Sequence, residues 1–174
     1  MKAVQINTYG DTSVIEINEN APKPQPTQEQ ILVEVHAASL NRIDSGIRSG
    51  YLQQMLPITF PATLGGDFAG VVIEVKEGET NLKVGDEVYG QAGSLIGGSG
   101  SLAEYVVALN SKVAKKPTSI DMTQSASLPL VGASAIQAIE EHIKIKNGQK
   151  ILIHGGAGGI GSLAIQLENF MELM

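Results

Sequence analysis

The stretch from Ile151 to Gly161, reading Ile-Leu-Ile-His-Gly-Gly-Ala-Gly-Gly-Ile-Gly, constrains the fold of this chain more than any other part of it. A short apolar run gives way to glycines, and Gly156, Gly158 and Gly161 stand in G-x-G-x-x-G spacing. Lys150 to Ile153 is expected to be a strand entered from a turn at Asn147-Gly148, and the residues after Gly161 carry helical spacing. A strand that turns through glycines into a helix offers an anion unpaired backbone N–H groups and the positive end of the helix dipole. The pyrophosphate of a dinucleotide is seated in this way. Gly156 is expected to take the tight turn, Gly158 to let the backbone approach the phosphates, and Gly161 to let helix and strand pack closely. The cofactor-binding candidates here are Gly156, Ala157, Gly158, Gly159, Ile160 and Gly161. With 20 glycines in the chain, the spacing alone is weak, and a glycine-rich structural turn would share it.

Composition narrows the class. A length of 174 residues allows one full domain and part of another, and 43% hydrophobic residues suffice for a real core. The net charge of −6, with no basic run, argues against a nucleic-acid surface. No apolar run is long enough to span a membrane, and Met1-Lys-Ala-Val-Gln has none of the apolar character of a secretory signal. The absence of cysteine removes a disulfide framework and a thiolate zinc site. A soluble, cytoplasmic protein is expected.

The chain divides near residue 120. Residues 1–120 are strand-like and turn-rich, with alternation in Gln30–His36 and Gly70–Lys76, a Gly85-Asp86 turn, and a further strand across Ala103–Ala108. Short strands punctuated by Gly and Pro predict a compact, mostly β, barrel-like domain. Pro22, Pro24 and Pro26 mark an extended loop between the first two strands. From residue 121 to 174 the pattern changes to helices at Thr123–Ser127 and Ala133–His142, with Asp121 as a cap, followed by the glycine loop.

A β-rich domain, then small-residue helices, then a strand with Gly-Gly-Ala-Gly-Gly-Ile-Gly resembles the medium-chain dehydrogenase/reductase superfamily. Within it the chain is similar to the zinc-independent quinone oxidoreductases, the zeta-crystallin-like group. The residues that carry the likeness are Ala38–Asp44, Ile47–Gly50, Leu64–Val72, Val84–Gly90, Leu130–Ala135 and the glycine loop. The resemblance implies a GroES-like barrel domain followed by the first βα unit of an incomplete Rossmann domain, with the active site of such proteins in the cleft between the two. It also implies hydride transfer from NADPH, or NADH, to a quinone or α,β-unsaturated carbonyl. Zinc alcohol dehydrogenases have a cysteine where this chain has Asn41, and a Gly-His-Glu where it has Gly65-Gly66-Asp67. An amide and a bare glycine do not hold tetrahedral zinc, and His36, His142 and His154 lack metal-ligand spacing. No metal is expected. His36, on a strand face with Glu34, reads as a solvated surface histidine; His154 could touch cofactor or be structural.

By position, the resemblance suggests Asn41, Tyr51 and Ser134 as catalytic candidates, and Asn41, Asp44 and Ser134 as contacts to the cofactor. Each has a second reading. Asn41 and Asp44 could simply shape a turn, Ser134 could be a small residue at a tight helix contact, and Tyr51 could be a packed loop aromatic. Tyr51 could otherwise donate a proton to the product anion.

The sequence runs 13 residues past Gly161, too few for the second Rossmann strand and its ribose-reading residue about 20 residues on. Ile160, Leu163, Ala164, Leu167, Phe170, Met171 and Met174 fall on one helical stripe, which is expected to lack a packing partner. Self-association into a homo-oligomer, or a disordered C-terminus, is the expected result. Two non-enzymatic alternatives are a binding module left by truncation and a crystallin-like structural role.

Overall fold

The computed structural model describes residues 1–76, 80–146 and 148–172, with side chains of the last helix described up to Asn169. The chain forms two compact units, Met1–Ser127 and Leu128–Met174.

The first unit is a pair of antiparallel sheets. β1 (Ala3–Ile6) lies between β2 (Ile15–Asn18) and β4 (Ala62–Thr63) in a small sheet. The larger sheet has the order β7-β3-β5-β6-β8, with β3 at Gln30–Ser39, β5 at Asp67–Val75, β6 at Glu87–Gln91, β7 at Tyr105–Leu109 and β8 at Val113–Lys115. The segment just before β7 stitches the two sheets together. Val4 N–H donates to Leu102 O at 2.8 Å and Glu104 N–H to Lys2 O at 3.1 Å, while Val35 N–H donates to Glu104 O at 2.9 Å. This shared segment makes the domain barrel-like. The GroES-like fold expected from the sequence is present.

The larger sheet buries the core expected from the alternating strands. Ile31, Val33, Phe68, Val72, Val88 and Val106 are fully buried together, each drawing on the apolar area it removes from water. A second cluster, Ile6, Ala62 and Leu64, fills the smaller sheet. The short helix α2 (Met122–Ala126) packs on β3, β5 and β6. Asp121 caps it, accepting from Gln124 N–H at 2.7 Å, while Gln124 Oε1 accepts from Asp121 N–H at 3.1 Å. The Gly85-Asp86 turn is also present, Gly85 at φ +90° with Asp86 N–H donating to Lys83 O. The proline loop lies between β2 and β3, because the N-terminal segment folds back as a hairpin before reaching it.

The second unit is helical. α3 (Pro129–Ile136) continues as a π-helix over Gln137–Ile143, and α4 (Gly159–Glu172) follows the glycine loop. Three expectations change here. The helix predicted at Ala133–His142 begins earlier, at Pro129, where proline suits the first turn. Residues 150–153, predicted as a strand, form no ladder. A strand of a parallel sheet is held by its neighbours' hydrogen bonds, and among the described residues none pairs with this segment. The stripe of α4 does find a partner. Ala164 is buried with Ala135 and Ile139, and Leu163 and Leu167 pack against the same cluster. Helix-on-helix packing thus covers much of the face expected to be bare, while Ile160 stays exposed. Asn147, the side chains of Phe170 and Met171, and Met174 lie outside the described residues; Gly148 takes φ +81°, as its expected turn requires.

Candidate functional site

In the first unit the sheet itself gathers a polar cluster. Ser39, at the end of β3, pairs with Asp67, at the start of β5, and Asp67 pairs on its other side with Gln91, at the end of β6. Register therefore places Asp67 and Gln91 side by side at one end of their strands, and Asn41 follows two residues after Ser39. Asn41 has extended backbone (φ −121°, ψ 159°) and caps helix α1 (Arg42–Ser49). Its N–H donates to Asp44 Oδ2 at 2.7 Å, and Asp44 N–H donates to Asn41 O at 3.0 Å. The Asn41 amide Nδ2 donates to Asp67 Oδ2 at 2.9 Å, and Gln91 Nε2 donates to Asp67 Oδ1 at 3.3 Å. Asp67 is only 1% exposed and Asp44 8%.

Asn41 and Asp44 thus shape the turn into α1 and also belong to a buried hydrogen-bond network. Burial pushes the Asp44 carboxyl above the usual carboxylate range; the Asn41 N–H opposes this, and the nearby Asp67 charge adds to it. Because the folded-state value is raised, the protonated form is favoured on folding. The resulting stabilisation is full below the unfolded value, near 3.8, and is lost as pH rises through the folded value. Asp44→Asn, whose amide oxygen still accepts from Asn41, is therefore expected to be relatively more stable than the parent at neutral pH. That advantage should shrink as pH falls toward 3.8 and below, as read from urea midpoints across that range.

Tyr51 follows Gly50, the residue that ends α1, and is 88% exposed. It is not the packed loop aromatic of the second reading. His36, His142 and His154 are all exposed, His36 as expected, and among the described residues no three His, Asp or Glu side chains converge as metal ligands. At Gly66, where the resemblance puts a ligand in zinc relatives, a Cβ would meet nothing within 4 Å.

The second unit holds the glycine loop and Ser134. The left-handed turn expected at Gly156 falls one residue earlier, at Gly155, with φ +72°. Gly158 N–H closes that turn on Gly155 O at 2.9 Å. Gly161 is the closely packed position, since a Cβ there would fall on the Gly155 carbonyl oxygen and come 2.8 Å from Gly156 Cα. Ala157, Gly158, Gly159 and Ile160 are exposed at the start of α4. The N–H groups of a helix's first turn have no partner within the helix, so Gly159, Ile160 and Gly161 carry the donors an anion needs. Ser134 Oγ, half-buried on α3, donates to Leu130 O at 2.8 Å and keeps its lone pairs for a further donor.

Asp67 and Gln91 were not among the residues singled out from the sequence. Asp67 was visible only as the last residue of Gly65-Gly66-Asp67, and Gln91 only through a strand register that the sequence does not print.

The comparisons with known proteins agree with this architecture. Residues 27–118 match the family described as Alcohol dehydrogenase GroES-like domain. The chain belongs to that family. It is similar to quinone oxidoreductases. A chloroplast envelope quinone oxidoreductase homolog of Arabidopsis thaliana is 35% identical over 172 residues, covering 96% of this chain and 52% of that protein. The human quinone oxidoreductase is 34% identical over 168 residues, with coverages of 96% and 49%. The quinone oxidoreductase structure from Coxiella burnetii superposes with a TM-score of 0.85 at 39% identity, covering 99% of this chain and 54% of that one. The Escherichia coli quinone oxidoreductase, solved with NADPH, gives 0.83 at 28%, with coverages of 99% and 50%. The chain spans about half the length of the curated relatives it matches.

Proposed function

We propose that this chain is part of an NADPH-dependent reductase that delivers hydride to a quinone or an α,β-unsaturated carbonyl without catalytic zinc. The observation that carries the reading is the amide-to-carboxylate bond from Asn41 to Asp67, at the position where zinc relatives have a cysteine ligand. An amide nitrogen that keeps its protons to donate them is no metal ligand, and Gly66, the chain neighbour of Asp67, brings no side chain. The named activities of the relatives support the same class: a quinone oxidoreductase in human and an NADPH-dependent alkenal/one oxidoreductase in Arabidopsis thaliana.

The glycine loop fits the pyrophosphate of such a cofactor, because Gly158 to Ile160 are open and the start of α4 has donors to spare. Bound there, NADPH would supply the hydride. The residues of this chain then bind and orient. Ser134, whose one proton goes to Leu130 O, accepts from the nicotinamide end, Asn41 and Asp44 hold its ribose or the acceptor, and Tyr51 supplies a proton to the product oxygen. A simple ketone would concentrate negative charge on one oxygen and call for a metal or strong donors. A quinone or enone spreads that charge through its conjugated system, so an amide and a phenol suffice.

The reading is tested by following NADPH oxidation with 1,4-naphthoquinone and with an enone, on this chain and on a version extended to the relatives' length, with and without EDTA. Oxidation that depends on the conjugated acceptor and is indifferent to EDTA is expected of the extended version. A rate abolished by EDTA, or oxidation of NADPH with simple ketones only, would sink the proposal.

A further inference from the structure

We propose that Asp67 is the positioning residue of the Asn41 site, fixing which way round the Asn41 amide is presented to a ligand. A carboxylate offers acceptors only, whereas an amide offers a donor end and an acceptor end. Asp67 receives Asn41 Nδ2 on Oδ2 at 2.9 Å and Gln91 Nε2 on Oδ1 at 3.3 Å. Inverting either amide would set oxygen against oxygen in a place shielded from water, where an unmade hydrogen bond is most costly. Asp67 cannot yield in turn. It opens the central strand β5, paired with β3 on one side and with Gln91 itself across β6, and at 1% exposure it is out of reach of any ligand. It therefore acts through Asn41. Alanine at position 67 removes both acceptors, so neither amide is held in its orientation.

The inference rests on Asn41 being a ligand contact, as proposed above. It is tested on the 15N-labelled chain with NADPH and 1,4-naphthoquinone as probes. In the unsubstituted chain one Asn41 side-chain amide proton is expected to exchange slowly with solvent, and the Asn41 amide signal to shift on addition of a probe. In Asp67→Ala the backbone spectrum of the sheet should persist while the slow proton disappears. Probe affinity should fall about tenfold, the scale of one hydrogen bond. Asn41→Ala should fall as far, and the double substitution no further. An Asn41 signal that neither probe moves overturns the ligand-contact reading and the proposal with it. Weakened binding in Asn41→Ala but not in Asp67→Ala overturns the positioning role alone. Should Asp67→Ala fail to fold, the unsubstituted chain decides: fast exchange of both Asn41 amide protons overturns the proposal, and one slow proton upholds it.

Discussion

Phe68→Ala is expected to lower the stability of the first unit by about 3–5 kcal/mol, the range for emptying a buried aromatic site. Phe68 is fully buried on β5 among Ile31, Val33, Val88 and Val106. It reaches them from the middle of the larger sheet, where its register partners are Ala38 and Gly90. Small partners leave the ring to fill the volume, so alanine there removes both apolar burial and the contacts lining the gap. Against a whole-domain stability of about 5–15 kcal/mol, such a loss leaves the barrel marginal. Urea unfolding followed by circular dichroism should show a midpoint lowered by at least about 1 M, given slopes of about 1–3 kcal/mol/M. A shift much smaller than that would mean that Phe68 is not the centre of the core. Because Asp67 is the adjoining residue, the same substitution should also loosen the Asn41 network.

Gly70→Ala is expected to be the second severe change, through backbone rather than volume. Gly70 lies on β5 between Val35 and Val88, and the register of β3 against β5 is irregular between Val35 and Ala37. A glycine beside such an irregularity marks close approach of two backbones. A Cβ at Gly70 would overlap the Glu34 carbonyl oxygen and stand 2.9 Å from Val33 Cγ1. A carbonyl in a central ladder cannot swing away as a side-chain tip can, so β3 must part from β5. Overpacking of this kind costs about 1–3 kcal/mol, and more where backbone must move. The consequence for the site is specific. Pairing of Ser39 with Asp67 lies beyond Gly70 along the same ladder, so Gly70→Ala should lengthen the Asn41–Asp67 bond and speed exchange of the Asn41 amide proton. Alanine at Gly66, which has open space, is the control that should do neither.

Much of this was legible in the sequence, and the rest fails for identifiable reasons. The alternation of Gln30–His36 found β3 because period-two burial is local information. Asp121 was readable as a cap because its partner Gln124 stands three residues on. The Gly155 turn was placed one residue late, since several adjacent glycines leave the spacing pattern unable to say which takes the positive φ. The 150–153 strand failed because a strand is a property of its neighbours, and sequence reports only the strand's own appetite. The face of α4 was read as bare because its expected partners were the further strands of a Rossmann sheet, whereas Ala135 and Ile139, inside the helix predicted at Ala133–His142, cover it. At the site, Asn41 and Asp44 came from one short motif, whereas their partners Asp67 and Gln91 lie 26 and 50 positions away from Asn41 and are joined to it by sheet register.

The stitch between Lys2 and Glu104 has a bearing on how the domain comes into being. The N-terminal strand closes against a segment about a hundred residues later, so the earliest part of the chain waits for one of the latest parts of its own barrel. Contacts of such long sequence separation pay their loop-closure entropy before they return any stability, and they slow folding. On a ribosome, β1 and β2 would emerge as a hairpin that gains β4 after residue 63. It would meet its last neighbour only when residue 104 had cleared the exit tunnel.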